Sequence, residues 1–171
     1  MMQERETKWT PMKALGKANQ KIESLGIPIF DPKLLQNENL NFGDLASYDD
    51  GKITSLLVIY GGYKASLETK VADVEASYGA LEAAFNEGYS TALFTVTKEY
   101  EAIDKKKPTR DELRGEIMST YNTLRDLKRE IIEQEIELKR LQGLLNTYTS
   151  AYNWRMLSLY ETVEPTQSQL K

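Results

Sequence analysis

Four carboxylates crowd a single stretch of the chain, Glu130, Glu133, Glu135 and Glu137. Such a group is the raw material of a di-metal site, yet ferritin-like centres complete it with Glu-x-x-His motifs, and this sequence holds no histidine. It holds no cysteine either. Histidine is the commonest general base and metal ligand, so Ser-His-Asp, Cys-His and HExxH arrangements are all excluded. Arg129, Lys139 and Arg140 stand at ion-pair spacing from the acidic run, which then reads as a solvated helix flank. Gly61-Gly62, between Tyr60 and Tyr63, lacks the strand and the wider glycine spacing of a phosphate loop and reads as a flexible helix start. The expectation is a protein that is no enzyme and uses no cofactor, metal or small-molecule substrate.

Basic residues offer a different chemistry, contact with phosphate. Lys98, Lys105, Lys106, Lys107, Arg110 and Arg114 gather in one region, with Glu99, Glu101, Asp104, Asp111 and Glu112 among them. A mixed cluster of this kind suits a solvated loop. Repeated around a ring of subunits, it also suits a salt-sensitive grip on single strands. Arg125, Lys128 and Arg129, with Lys139 and Arg140, form a second group, and Tyr121 just before it is placed to stack a base. The net charge of −4 means that any nucleic-acid contact needs a local patch.

The elements that position these residues follow from periodicity. Leu67, Val71, Val74, Tyr78, Leu81 and Phe85 are spaced alternately by four and three, the seam of a helix packed along a neighbour. A looser continuation runs through Tyr89, Ala92, Val96, Tyr100 and Ile103, with a bend expected near Gly88. Lys106-Lys107-Pro108 breaks the helix, and Thr109 with Glu112 forms a capping box that restarts it. The second arm carries Ile117, Leu124, Ile131, Leu138, Leu145, Tyr152 and Leu159 at an unbroken spacing of seven. A parallel series is Leu113, Thr120, Leu127, Gln134, Leu141, Tyr148 and Arg155, in which Gln134 and Arg155 are polar interruptions that fix register. The first of these series, with Gln134, is the expected packing or oligomer seam. Tyr148 and Tyr152 are expected to fill space between helices, and Arg155 to stack on Trp154 or Tyr60.

The expected fold is all-α, a long antiparallel helical hairpin of coiled-coil type over residues 50–163 with its turn at about 104–109. Each arm is roughly 75–80 Å at 1.5 Å per residue. Folding back about Lys106 sets Arg155 near Tyr60, Leu145 near Val71 and Gln134 near Leu81. Residues 1–49 form a partly irregular N-terminal arm. In it Thr10-Pro11 starts a short helix with Met12, Leu15, Ile22 and Leu25 near one face, and Gly26 closes it. Residues 164–171 are a polar tail. Met118, Tyr121, Ile132, Ile136, Leu144, Trp154, Met156 and Tyr160 lie off the seam and predict either self-association or packing against the arm. The longest apolar run, Leu56 to Tyr60, is too short for a membrane span, and the N-terminus has no signal-peptide core. A cytoplasmic setting is expected.

Several of these parts together resemble the UvsY-type recombination mediators of tailed phages. They are the helix start with Tyr60 and Tyr63, the Lys106-Lys107-Pro108-Thr109 turn with its acidic first turn, Ile117 and Tyr121, and the closing Tyr152-Asn153-Trp154-Arg155-Met156-Leu157. The resemblance covers about residues 53–160. It implies an oligomeric, non-enzymatic factor that binds single-stranded DNA and loads a recombinase onto strands covered by single-strand-binding protein, in the host cytoplasm. Lys105, Lys106, Lys107, Arg125, Lys128 and Arg129 would then touch phosphate, with Arg110, Arg114 and Tyr121 beside them. The rival expectation is a structural or assembly protein, a virion component or a prefoldin-like holdase, that uses the hairpin for protein contacts alone.

Overall fold

The computed structural model describes residues 9–27, 49–103 and 108–163. They form four helices, α1 (Pro11–Ser24), α2 (Asp50–Ala102), α3 (Arg110–Thr120) and α4 (Asn122–Val163). Among the described residues there is no strand. The fold is an all-α antiparallel helical hairpin with an N-terminal arm. Its arms match in length, because α2 has 53 residues and α3 with α4 has 11 and 42.

Helix boundaries follow local chemistry. Thr10 accepts from the Lys13 amide through both its hydroxyl, at 3.3 Å, and its carbonyl, at 3.0 Å, and Pro11 supplies the fixed φ of a first helical residue. At the other end of α1 Gly26 takes φ +65°, the left-handed conformation that favours glycine at a helix exit. Asp49 caps α2, its Oδ1 accepting from the Lys52 amide at 2.7 Å.

The chain divides into two compact units, and α2 and α4 contribute to both. The turn unit comprises Met1–Ala18 and Asp73–Glu137. Its core is Ala92, Val96, Leu113, Ile117 and Leu124, with Phe85, Tyr89, Leu93, Tyr100, Met118, Tyr121 and Leu127 packed on it. Helical hydrogen bonding continues through Gly88 without interruption. Gly88 instead admits Leu124: a Cβ at this position would lie 2.8 Å from Leu124 Cδ2. The interruption falls on the other arm, at Tyr121 (φ −97°, ψ 90°) between α3 and α4. Tyr121 still donates its N–H to Ile117 O at 2.9 Å and accepts from Arg125 N at 3.2 Å, so the break costs little backbone bonding.

The aromatic unit comprises Asn19–Ala72 and Leu138–Lys171. Ile53, Leu56, Leu57, Tyr60, Leu67 and Val71 are buried on α2, against Leu141, Leu144, Tyr148, Ala151 and Arg155 on α4. Tyr63 meets Tyr148 edge-on at 5.3 Å, and three residues earlier Tyr60 meets Arg155, which shows the antiparallel sense. Gly61 lies within this helix rather than at its start. A Cβ there would touch Tyr152 at 3.4 Å, so the glycine lets a ring rest on the backbone.

The seam on α4 therefore differs from the sequence expectation. Leu124 and Ile131 are buried as central residues, whereas Leu138, Leu145, Tyr152 and Leu159 are only half-buried. In the aromatic unit the series through Leu141, Tyr148 and Arg155 takes the centre, and Leu144, read from sequence as off-seam, joins it. The reason is size: the Tyr148 ring packs on both Tyr60, at 5.7 Å, and Tyr63. Gln134 is half-buried, its Oε1 shielded with no hydrogen-bond partner among the described residues. The α1 face also differs, since Met12 is 75% exposed while Ala14, Ala18 and Ile22 are buried.

Candidate nucleic-acid interface

The two sides of the hairpin turn carry exposed cations on helices that the turn-unit core holds in place. On α2 the Lys98 ammonium lies 4.4 Å from the centroid of the Phe94 ring. Phe94 and Lys98 are four residues apart and so share one face, while Ala92 and Val96 bury the opposite one. Phe94 is 62% exposed, and Ile103 beyond it is 57% exposed. On α3 Arg110 and Arg114 are exposed, again four residues apart, while Leu113 and Ile117 anchor that helix in the core. Lys105, Lys106 and Lys107, which connect the two sides, lie outside the described residues.

Glu112 of this cluster and the neighbouring Glu116 have structural partners. Glu112 Oε2 accepts from the Thr109 amide at 2.7 Å and from its hydroxyl at 2.9 Å, and the Glu112 amide donates back to Thr109 Oγ1 at 3.3 Å. These bonds to the backbone, then the side chain, hold the Glu112 carboxyl below its ordinary range. Glu116 Oε2 accepts from the Tyr100 hydroxyl at 2.9 Å, which pushes the Tyr100 phenol up. Glu99, Glu101 and Asp111 remain exposed beside the cations. The turn is thus a mixed surface of exposed cations, exposed carboxylates and one exposed aromatic ring.

The second basic group is placed differently. Arg125 donates to Asn122 Oδ1 at 2.7 Å and is half-buried. The Lys128 ammonium lies 5.5 Å from the Phe85 centroid. Arg129 pairs with Asp126 at 3.0 Å and sits 5.9 Å from the Trp9 centroid. Tyr121 is half-buried at the helix break and packed on the core. All four residues are half-buried and engaged within the turn unit, whereas Arg110 and Arg114 are exposed. Lys139 and Arg140 are exposed farther along α4.

Of the acidic run, Glu130 is exposed, while Glu133 accepts from the Trp9 indole and from Lys17. Among the described residues no group of three or more His, Cys, Asp or Glu side chains is placed to hold a metal ion. Among the same residues no helix is long and apolar enough to cross a membrane. Arg155 is fully buried, donates to Ala151 O at 3.0 Å and lies 4.5 Å over the Tyr60 ring, the second of the two rings expected for it. Trp154 is 65% exposed.

Two contributors escape sequence reasoning. Phe94 is legible after the fact, because it lies two residues from the seam position Val96 and so faces outward. Trp9 gives no periodic signal, standing before the first helical residue. Comparison with protein-family models, with curated proteins and with solved structures returns no match for this chain.

Proposed function

We propose that the chain is a non-enzymatic accessory protein of recombination that works as a homo-oligomer and holds single-stranded DNA at the hairpin turn. The observation that supports this most is the pair of exposed i,i+4 sets, Phe94 with Lys98 and Arg110 with Arg114, on either side of the Lys105-Lys106-Lys107 run. An exposed ring stacks any base, at about 1–3 kcal/mol per base, and the cations neutralise phosphate without reading sequence. Oligomerisation multiplies a modest patch into a continuous track. The resemblance over residues 53–160 supplies the class, a mediator that brings a recombinase to strands covered by single-strand-binding protein in the host cytoplasm. The reading leans on Arg110 and Arg114, which are exposed, more than on Arg125, Lys128, Arg129 and Tyr121, which are half-buried.

Fluorescence titration of labelled single-stranded DNA at low and moderate salt tests it. Binding should fall steeply with salt, and Arg110→Ala with Arg114→Ala should flatten the salt slope by roughly 0.7 for each phosphate that the protein no longer neutralises. Phe94→Ala should weaken binding with the slope unchanged. Absence of binding at low salt rejects the reading.

A second reading, a structural or assembly protein working through protein contacts alone, is favoured by a separate observation. Val58, Ile59, Trp154 and Leu157 are all exposed in the aromatic unit, close to where Tyr60 meets Arg155. Exposed apolar side chains at this density mark protein contacts. Ile59→Ser with Trp154→Ser would then abolish assembly seen by sedimentation, whatever happens to DNA binding.

A further inference from the structure

Charge changes sign along the two long helices. From Lys52 to Lys70 α2 holds three lysines and one acid, Glu68, whereas from Asp73 to Glu101 it holds six acids and one lysine. The α4 side follows the same trend, since no carboxylate stands between Glu137 and Glu161. In a chain of net charge −4, these stretches of the aromatic unit are a basic island.

Some of that charge shares one side with exposed apolar residues. On α2, Lys52, Ile59 and Lys70 stand seven and eleven residues apart, close to two and three turns, so they share a face, and all three are exposed. Tyr60 meets Arg155, and Ile59 and Trp154 each come one residue before a member of that pair. Stepping back once along each of two antiparallel helices turns both side chains out on the same side. Leu157 is three residues from Trp154 and therefore its neighbour on α4. Arg140 precedes Trp154 by fourteen residues, about four turns, and faces the same way. Trp154, Leu157 and Arg140 are exposed as well.

Carboxylates avoid this side. Asp50 and Glu68 are each nine residues from Ile59, two and a half turns, which puts them on the opposite face of α2. Glu68 is also paired with Lys64 at 3.0 Å. The first acid on the line of Ile59 is Asp73, beyond Lys70.

We propose that this side of the aromatic unit docks an acidic amphipathic segment of a partner protein. Apolar side chains at the segment's centre lie on Ile59, Trp154 and Leu157, and carboxylates at its ends meet Lys52 at one end and Lys70 with Arg140 at the other. The inference rests on the protein-contact reading of the exposed apolar residues and gives the partner a chemistry. Charge selects the occupant. The same face of a second copy would bring cations onto cations at both ends, whichever way it ran. A single strand carries a phosphate at every nucleotide, but here the cations stand at the ends with apolar side chains between them. Lys52 and Lys70 are separated by about 27 Å of helix, the length of a helical segment of about eighteen residues.

The test uses the full chain with Trp9→Phe, which leaves Trp154 as the only tryptophan. The probe is a labelled synthetic peptide of about that length, with aspartates at both ends, leucine and phenylalanine along one face of the middle, and glutamine elsewhere. Binding should shift Trp154 emission to the blue and weaken as salt rises. Lys70→Glu with Arg140→Glu should flatten the salt dependence and leave the melting midpoint unchanged. Trp154→Ser, followed by anisotropy of the label, should lower affinity about tenfold or more. A peptide with asparagine in place of aspartate should bind far more weakly. Equal binding of the asparagine peptide overturns the acidic segment while the protein-contact reading stands. Binding of neither peptide overturns the docking site. Displacement of the peptide by oligothymidylate, or self-assembly of the chain that Lys70→Glu with Arg140→Glu abolishes, gives this side to a nucleic acid or to a second copy and overturns the inference too.

Discussion

The turn unit and the aromatic unit bring the same two arms of the hairpin together by different means. In the turn unit the buried centre is close and aliphatic, with the rings of Phe85, Tyr89, Tyr100 and Tyr121 only partly buried around it. Gly88 removes a side chain so that Leu124 can enter, and Ala92, Val96 and Ile117 fill the rest. In the aromatic unit three tyrosine rings and a buried guanidinium fill the gap. A seven-residue repeat thus says that two helices pack but leaves open which of its positions turns innermost. The volume of the residues decides that: where rings are available the centre moves from the Leu145 series to the Tyr148 series.

The largest separation between the units should come from Arg155, which has no counterpart in the turn unit. Arg155→Ala removes both the aliphatic stem packed in the core and the cation over Tyr60, and should cost about 3 kcal/mol. Arg155→Met keeps the stem and discards a charge that is costly to bury, so it should lie within about 1 kcal/mol of the parent. Urea denaturation measures both. If the two variants fall equally, the cation itself holds the rings, and the comparison shifts from packing to electrostatics.

The aliphatic unit is probed at its close approach. Leu124→Ala should cost about 3 kcal/mol, the usual range for a buried leucine. Gly88→Ala gains roughly 1 kcal/mol of helix propensity but pushes on Leu124 Cδ2, a terminal methyl that can yield only partly in a filled core. Alone it should be nearly neutral; in the Leu124→Ala background the full gain should appear. A double-mutant cycle reads this coupling directly. Additive effects would mean that Gly88 is not there for Leu124.

Alkaline pH separates the units by the origin of their tyrosine shifts. In the aromatic unit burial, then the neighbouring Tyr63 and Tyr60, pushes the Tyr148 phenol far above its ordinary value. In the turn unit Tyr78 and Tyr100 are raised first by bonds to Glu82 and Glu116. A phenol raised in the folded state keeps its proton when the unfolded chain has given its own up. Stability is therefore unaffected below about pH 10 and falls as pH rises above that value. Tyr148→Phe should remove most of the alkaline loss, followed by circular dichroism against pH. Tyr78→Phe should change it little, because that ring is only half-buried and its phenol is raised mainly by the bond to Glu82.

Much of this was legible in the sequence, and the gaps have physical causes. The four-three spacing of Leu67 to Phe85 marks the buried face of α2, and the capping box at Thr109 marks the restart, because both are local patterns with a fixed period. The Arg155–Tyr60 contact follows from folding equal arms about Lys106. What could not be read is where long-range packing overrides period. Ala14 and Ala18 look too small to define a face, yet small residues are what let α1 lie close. Met12 looks apolar enough to be buried and is not. Arg125, Lys128 and Arg129 read as one basic stripe, but Asn122, Phe85, Asp126 and Trp9 engage them separately. Charge runs do not announce which members fold the chain.

The smallest expected effect lies at the turn, where a local cap sets the start of α3. Thr109→Ala removes the hydroxyl that accepts from the Glu112 amide and should cost about 1 kcal/mol at neutral pH. Its pH dependence is more telling than its size. The Thr109 amide and hydroxyl lower the Glu112 carboxyl, so the stabilisation they give is complete above the carboxyl's ordinary range and is lost as pH falls through the depressed value. The difference between parent and Thr109→Ala should narrow in acid for that reason. Glu112→Gln, which keeps an acceptor without the charge, should show no such narrowing. If Thr109→Ala also leaves single-strand binding intact while Arg110→Ala with Arg114→Ala abolishes it, the cap serves the helix alone and the arginines the interface, and fold and interface separate within six residues of chain.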